Sequence, residues 1–189
     1  MGAMCSGLHS THAPSPACPA RRSISADGLS ILQRFTPYSG VLVIGAAGLP
    51  MIGYHHVLRP GEQWTQITHD DAISLLKQDL GCIDLYVSAL YPDCPQAQHD
   101  ALVSLVYDVG LRTYERSAVH EALRQGQYAT ACEELETWVD PSQGKRPDWG
   151  RRRAAEATLM RQGPKALLNL FMRWDIEDLS ASHDGSCNE

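Results

Sequence analysis

Between Gly28 and Gly61 the chain carries no aspartate or glutamate. Chemistry that needs a protein carboxylate in that stretch has to do without one or borrow one from elsewhere. Long hydrophobic runs are missing too. The longest, Val41 to Ile52, is broken by glycines and is shorter than the roughly 18–20 residues of a membrane-spanning helix. The six cysteines, Cys5, Cys18, Cys82, Cys94, Cys132 and Cys187, form no CxxC pair, so zinc-ribbon and thioredoxin-like readings lack support. Their spacing fits free thiols or one or two disulfides. No metal or cofactor is expected. Excess positive charge is absent as well: the formal net charge is −6. That argues against a nucleic-acid partner and provides no long-range attraction to anionic walls or membranes.

What remains is a 189-residue chain of ordinary apolar and charged content, long enough to bury a sizeable core. Residues 1–22 are rich in Ser, Pro, Ala and His and read as a flexible leader without an apolar signal core. If Met1 to Met4 is an appended start, Cys5 would open the native part, and a cysteine before a Ser/Pro linker is the pattern of a processed bacterial lipoprotein. The plainer reading is a disordered tail with an incidental cysteine. Ser25 is placed to cap a helix from Ala26 to Phe35, which Pro37 stops. From Gly40 to Val57, β-formers alternate with Gly and Pro and predict a small antiparallel sheet. Thr68 and Asp71 resemble a capping box. Helices are expected from Thr68 to Leu80, Cys82 to Leu90, Gln96 to Val109, Tyr114 to Arg124, Tyr128 to Trp138, Trp149 to Met160 and Lys165 to Trp174. A polar tail that frays is expected from Asp175 to Glu189.

One helix, one small sheet and then many helices is an α+β arrangement. It predicts a small antiparallel sheet lobe against a larger helical lobe, with a cleft between them as the natural ligand site. The expected divisions are a leader over residues 1–22, a folded domain over 23–162, and a C-terminal helix with a polar tail over 163–189.

Several segments resemble the phage-type lysozymes and endolysins of glycoside hydrolase family 24. They are Ile24-Ser25, Gly28-Leu29 and Phe35, then Met51-Ile52-Gly53-Tyr54-His55-His56, and Ile67-Thr68. Gln98-His99-Asp100-Ala101-Leu102-Val103-Ser104 follows, leading to Asp108-Val109-Gly110, then Trp138-Val139 and Arg152-Arg153-Ala154-Ala155-Glu156. The resemblance runs in order from about residue 24 to 160. It implies a lysozyme-like two-lobed fold. Ala101, Leu102, Leu105 and Val106 should then lie in a central core helix, and Asp100, Arg152, Arg153 and Glu156 are candidates for ion pairs between helices.

The resemblance also implies where catalysis would sit: a glutamate after the first helix, an aspartate nine residues on, and a threonine six further. Those positions hold Thr36, Gly45 and Met51. Glycoside hydrolysis needs a protonated acid at the leaving oxygen and normally a second carboxylate. Threonine is no acid near neutral pH, glycine has no side chain, and methionine cannot donate a hydrogen bond to water. The expectation is therefore a lysozyme-like pseudoenzyme without catalytic residues. It would bind peptidoglycan or another glycan, or a protein partner, in a phage-derived or bacterial envelope system. The alternative is an active muramidase with a displaced acid, for which Glu62 is the candidate. A third reading is an adaptor whose cleft is filled, which Gly45 and Met51 would permit because methionine fills gaps well. Candidate ligand contacts are Tyr54, His55, His56, Glu62 and Gln98. His55 stands where the family has glycine. Neighbouring strand residues face opposite ways, so one of the two histidines is expected buried and one exposed. Trp64, Trp138 and Trp149 can stack on sugars or pack in the core. Bacterial envelope or periplasm is the expected location.

Overall fold

The computed structural model describes residues 22–45, 48–138 and 148–184. The leader with Cys5, the Pro/Gly/Asp-rich loop after Trp138, and residues 185–189 of the tail lie outside the described residues. Helix α1 (Ala26–Phe35) starts at Ser25, whose hydroxyl accepts the Asp27 amide. It ends at Thr36, which is extended (φ −110°, ψ 115°), as a residue before proline prefers to be. Strands β1 (Ser39–Ile44), β2 (Pro50–Gly53) and β3 (His56–Val57) form one antiparallel sheet in the order β1-β2-β3. Seven helices follow: α2 (His69–Leu90), α3 (Gln96–Val109), α4 (Leu111–Glu115), α5 (Ala118–Arg124), α6 (Tyr128–Thr137), α7 (Trp149–Gln162) and α8 (Pro164–Asp184). The architecture is α+β: a small sheet set against a larger helical body.

The capping box is present. The Asp71 amide donates to Thr68 Oγ1 at 3.2 Å, and the Thr68 amide donates to Asp71 Oδ2 at 3.1 Å. Three helix boundaries differ from the sequence expectation. The helix that starts at Thr68 runs straight through Gly81 to Leu90, because Leu76, Leu80 and Val87 keep one buried face in phase across it. The segment expected as one helix from Tyr114 to Arg124 divides at Ser117, whose hydroxyl accepts the His120 amide and starts α5 afresh. The tail does not fray at Asp175. Helix α8 continues to Asp184, and two of its acidic residues are engaged: Asp175 pairs with Arg34 at 2.5 Å and Asp178 with Arg151 at 2.8 Å.

Helix α3 is the centre of the body and packs against α1, α2 and α7. Every residue from His99 to Val106 is buried. That exceeds a single apolar face and includes His99, Asp100 and Ser104, which need polar partners. Asp100 turns to α1 rather than to the arginines: its Oδ1 accepts the Ser25 amide at 2.9 Å. Gly28 is required at this crossing, since a Cβ there would lie 2.7 Å from Asp100 Cβ. Ile24 is tied down next to it by donating to Asp84 Oδ1 at 3.0 Å, and burial pushes the Asp84 carboxyl up to about 6. The Ile-Ser and Gly-Leu motifs thus dock α1 onto α2 and α3.

Candidate functional site

A cavity of about 710 Å³ opens between the sheet and the helical body. The end of α1 supplies Phe35 and Thr36 to its wall. The sheet lobe supplies His55 and Val57 to Pro60, and α2, α3 and α7 supply Asp79, Tyr107 with Asp108, and Arg152. Thr36 is only 5 % exposed. Its hydroxyl has no hydrogen-bond partner among the described residues.

Gly45 and Met51 face each other across the β1–β2 hairpin. A Cβ on Gly45 would collide with Met51 Cε and lie 3.0 Å from its sulfur. The thioether therefore occupies the volume that a side chain at position 45 would need. Met51 pairs directly with Val57 in the ladder, which puts the two side chains on one face of the sheet, and Val57 belongs to the cavity wall. Neither Gly45 nor Met51 lines the cavity itself. Met51 fills the hairpin, and the cavity stays open.

The candidate ligand contacts separate into two groups. His55 is on the cavity wall, exposed, and holds φ +63°. That backbone region costs an L side chain energy and suits the glycine that the family has there. His55 belongs to a turn rather than a strand, so strand alternation does not set its direction. His56 is buried behind the wall, with Nδ1 2.7 Å from Asp79 Oδ2 and Nε2 2.9 Å from Glu62 Oε2. Tyr54 is buried structure: its hydroxyl meets His69 Nε2 at 2.9 Å and its carbonyl accepts from the Tyr107 hydroxyl at 2.6 Å. Gln98 sits in the first turn of α3, away from the wall, with Oε1 unpartnered among the described residues. Of the tryptophans, Trp149 is buried, Trp138 borders a recess beside α5, and Trp64 lies on the outer side of α2.

The described carboxylates on or beside the wall are all engaged by other groups. Asp79 faces His56 and Arg59, and Asp108 faces Arg152 and Arg153. Glu62 Oε2 accepts from the Arg59 amide at 2.8 Å and from His56. The Arg59 amide and then His56 hold its carboxyl below the usual range. Arg59, Asp79, Tyr107, Asp108 and Arg152 were not singled out as site residues from sequence. One signal was available for Asp79: a buried histidine needs an acceptor for each ring N–H.

The Phage lysozyme family model matches residues 34–156. The chain belongs to the phage lysozyme family. It is 31% identical over 146 residues to an endolysin of Bacillus phage PZA, covering 74% of this chain and 55% of that relative. The chain thus spans about half the length of that endolysin. It is 29% identical over 143 residues to an endolysin of Acyrthosiphon pisum secondary endosymbiont phage 1, covering 72% of this chain and 96% of the other. Among solved structures, a P22 lysozyme variant aligns with TM-score 0.65 at 26% identity, over 74% of this chain and 98% of that one. The muramidase domain of SpmX from Asticaccaulis excentricus aligns with TM-score 0.63 at 28% identity, over 75% and 99%. The family match ends at Glu156, inside α7, so α8 lies beyond it.

The His56 cluster is expected to make the stability of this protein depend on pH. Burial lowers the His56 pKa, but hydrogen bonds to Glu62 and Asp79 and the charges of both outweigh that, and the net direction is up. A raised histidine pKa stabilises the fold fully below the unfolded value of about 6.5 and loses that contribution as pH rises through the folded value. The lowered Glu62 pKa works oppositely, losing its contribution as pH falls through its folded value. The stability gap between the native protein and His56→Gln is therefore expected to peak at pH 5 to 6.5, at about several degrees of melting temperature. It should shrink toward pH 9. A gap that grows with pH would show that His56 is held neutral.

Proposed function

We propose that this protein is a lysozyme-fold pseudoenzyme that holds a glycan strand, with peptidoglycan as the ligand class, and does not cut it. The observation that carries this reading is an open cleft with Thr36 on its wall, where the resemblance implies the acid, and beside it a hairpin in which the Met51 thioether sits where a side chain at 45 would go. The carboxylates near the wall support it further. A general acid needs its proton near neutral pH and gains from a raised pKa. Asp79 and Asp108 are instead ion-paired, and Glu62 is pulled down. That shift disfavours Glu62 as a displaced acid. The cavity offers the exposed guanidinium of Arg59 and the Tyr107 ring, a pairing of polar and aromatic groups that suits sugars. A location in the bacterial envelope, where peptidoglycan is found, belongs to the same proposal.

Purified peptidoglycan sacculi test both halves. The protein is expected to co-sediment with them and to release no reducing ends above a buffer blank. Arg59→Ala is expected to weaken co-sedimentation by about tenfold, the loss of one charged hydrogen bond. Release of reducing ends that disappears in Glu62→Gln would overturn the reading and establish the displaced acid. Loss of co-sedimentation in the native protein would remove the glycan as ligand.

A further inference from the structure

Helix α8 begins after the family match ends, and it is apolar on two faces. The inner face is occupied. Leu167 and Trp174 are buried, and Phe171 and Trp174 pack edge-on against Phe35 of α1. The outer face is not. Leu168 is 59 % exposed, Met172 56 % and Ile176 66 %. Scattered exposed apolar residues are ordinary, whereas a continuous row marks a contact surface. At spacing i, i+4, i+8 these residues form one ridge along the helix, about 12 Å long. We infer that this ridge is a homodimer interface, in which α8 crosses α8 of a second copy antiparallel, with Met172 on the two-fold axis.

The chemistry around the ridge selects a second copy as the occupant. The chain outside the described residues has little to lay on it: its large apolar side chains there are Met1, Met4, Leu8 and Val139. A lipid surface fits poorly. Interfacial helices are rich in Lys and Arg on the polar face, whereas the exposed charges of α8 after Met172 are Arg173 against Asp175, Glu177 and Asp178. The ridge is instead complementary to itself. The exposed charge on α8 before Met172 is Lys165. An antiparallel crossing sets the Lys165 end of each helix against the acidic end of the other, and a parallel one would stack acid on acid. The row is also symmetric in spacing about Met172, so Leu168 of one copy meets Ile176 of its partner, as an isologous contact requires. Rows at i±4n interlock in the commonest packing of two helices, which cross at about −50°. Helices crossing that steeply touch over only a few turns, the length of this ridge. The contact is small beside the roughly 800 Å² per partner of a standard interface, so the dimer is a weak and reversible one.

Sedimentation velocity of the full chain over a concentration series tests this. The protein is expected to run as a monomer at about 1 µM and mostly as a dimer by about 500 µM, the range of a small interface. Met172→Lys puts like charges together on the axis and is expected to raise the dissociation constant by about tenfold or more. Its melting temperature should be unchanged, because the side chain is more than half exposed. If that variant fails to fold, cysteine linking decides the matter. Met172→Cys is expected to link to its own copy under mild oxidation far more readily than Lys165→Cys does, with the linked peptides identified by mass spectrometry. Antiparallel helices bring position 172 to its own copy and hold the two copies of position 165 apart, at opposite ends of the contact. A native protein that stays monomeric to about 1 mM, a dimer that folded Met172→Lys leaves intact, or linking at 165 equal to that at 172 would overturn the inference. No glycan enters either measurement, so the outcome is independent of the cleft.

Discussion

Glu156→Ala is expected to cost about 3–5 kcal/mol, the range for stripping one partner from a buried ion pair. Glu156 is fully buried between α7 and α3. Its Oε1 accepts from Arg152 Nε at 3.1 Å and from Ser104 Oγ at 2.7 Å, and its Oε2 accepts from Arg153 Nη1. Both arginines are buried, and the one other carboxylate they contact among the described residues is Asp108. With Glu156 removed, two guanidiniums would share one carboxylate away from water, and Ser104 would lose its acceptor. The loss reflects stranded charge rather than the net worth of the network, which a well-packed apolar set can match. Glu156→Gln retains an acceptor for Ser104 but no charge, and should lie between the native protein and Glu156→Ala. Urea unfolding checks this, with the midpoint shifted and the slope unchanged. The loss should persist at high salt, because buried pairs are little screened. Arg34→Ala, which breaks a partly exposed pair with Asp175, should cost within about 1 kcal/mol. Equal effects from the two substitutions would mean that the α3–α7 network is not desolvated.

The same residues show which parts of the structure were legible in the sequence. Gln98 to Gly110 and Arg152 to Glu156 are local blocks with strong spacing, and their roles are packing and charge pairing across one helix contact. Local signals of that kind survive in a single sequence: Ser25 and Thr68 both cap, and Gly163 ends α7 at φ +81°. Boundaries set by tertiary contact were less legible. Gly81 weakens a helix by propensity, yet the buried stripe of α2 carries it through. The length of α8 depends on Phe171 and Trp174 packing against Phe35 and on the Arg34 and Arg151 ion pairs, partners more than a hundred residues away for α1. In the site, the positions at Thr36, Gly45 and Met51 could be counted from the family's spacing. That Met51 reaches across to fill the space at Gly45 is a cross-strand fact with no linear signature. The same holds for Asp79, which meets His56 only because α2 turns back past the sheet.

That cross-strand contact sets the outcome of introducing the side chains that the resemblance implies at positions 36, 45 and 51. Gly45→Asp alone is expected to destabilise the fold by about 1–3 kcal/mol, because its Cβ drives into Met51 Cε and the hairpin must spread. Combined with Met51→Thr, which removes the thioether, most of that loss should return, giving a favourable coupling of about 1–2 kcal/mol in a double-mutant cycle. Additive effects would mean that Met51 swings aside freely. Thr36→Glu then supplies the acid. Position 36 is buried at the end of α1 against the cavity, and burial raises a carboxyl pKa, the direction a general acid needs. Two departures oppose activity. Pro37 keeps Thr36 extended at the end of α1, and His55 puts an imidazole on the cavity wall at φ +63° where the resemblance implies glycine. The triple variant Thr36→Glu/Gly45→Asp/Met51→Thr is therefore expected to fold and to release reducing ends from peptidoglycan only weakly. Adding His55→Gly, which relieves the backbone and clears the wall, is expected to raise that rate by about tenfold or more, within the range that placing an acid correctly is worth. A quadruple variant no faster than the triple would show that His55 does not obstruct the sugar. A folded quadruple variant with no hydrolysis at all would count against positions 36 and 45 as the places of the acid and its partner carboxylate, position 36 lying on the cavity wall and position 45 in the hairpin beside it.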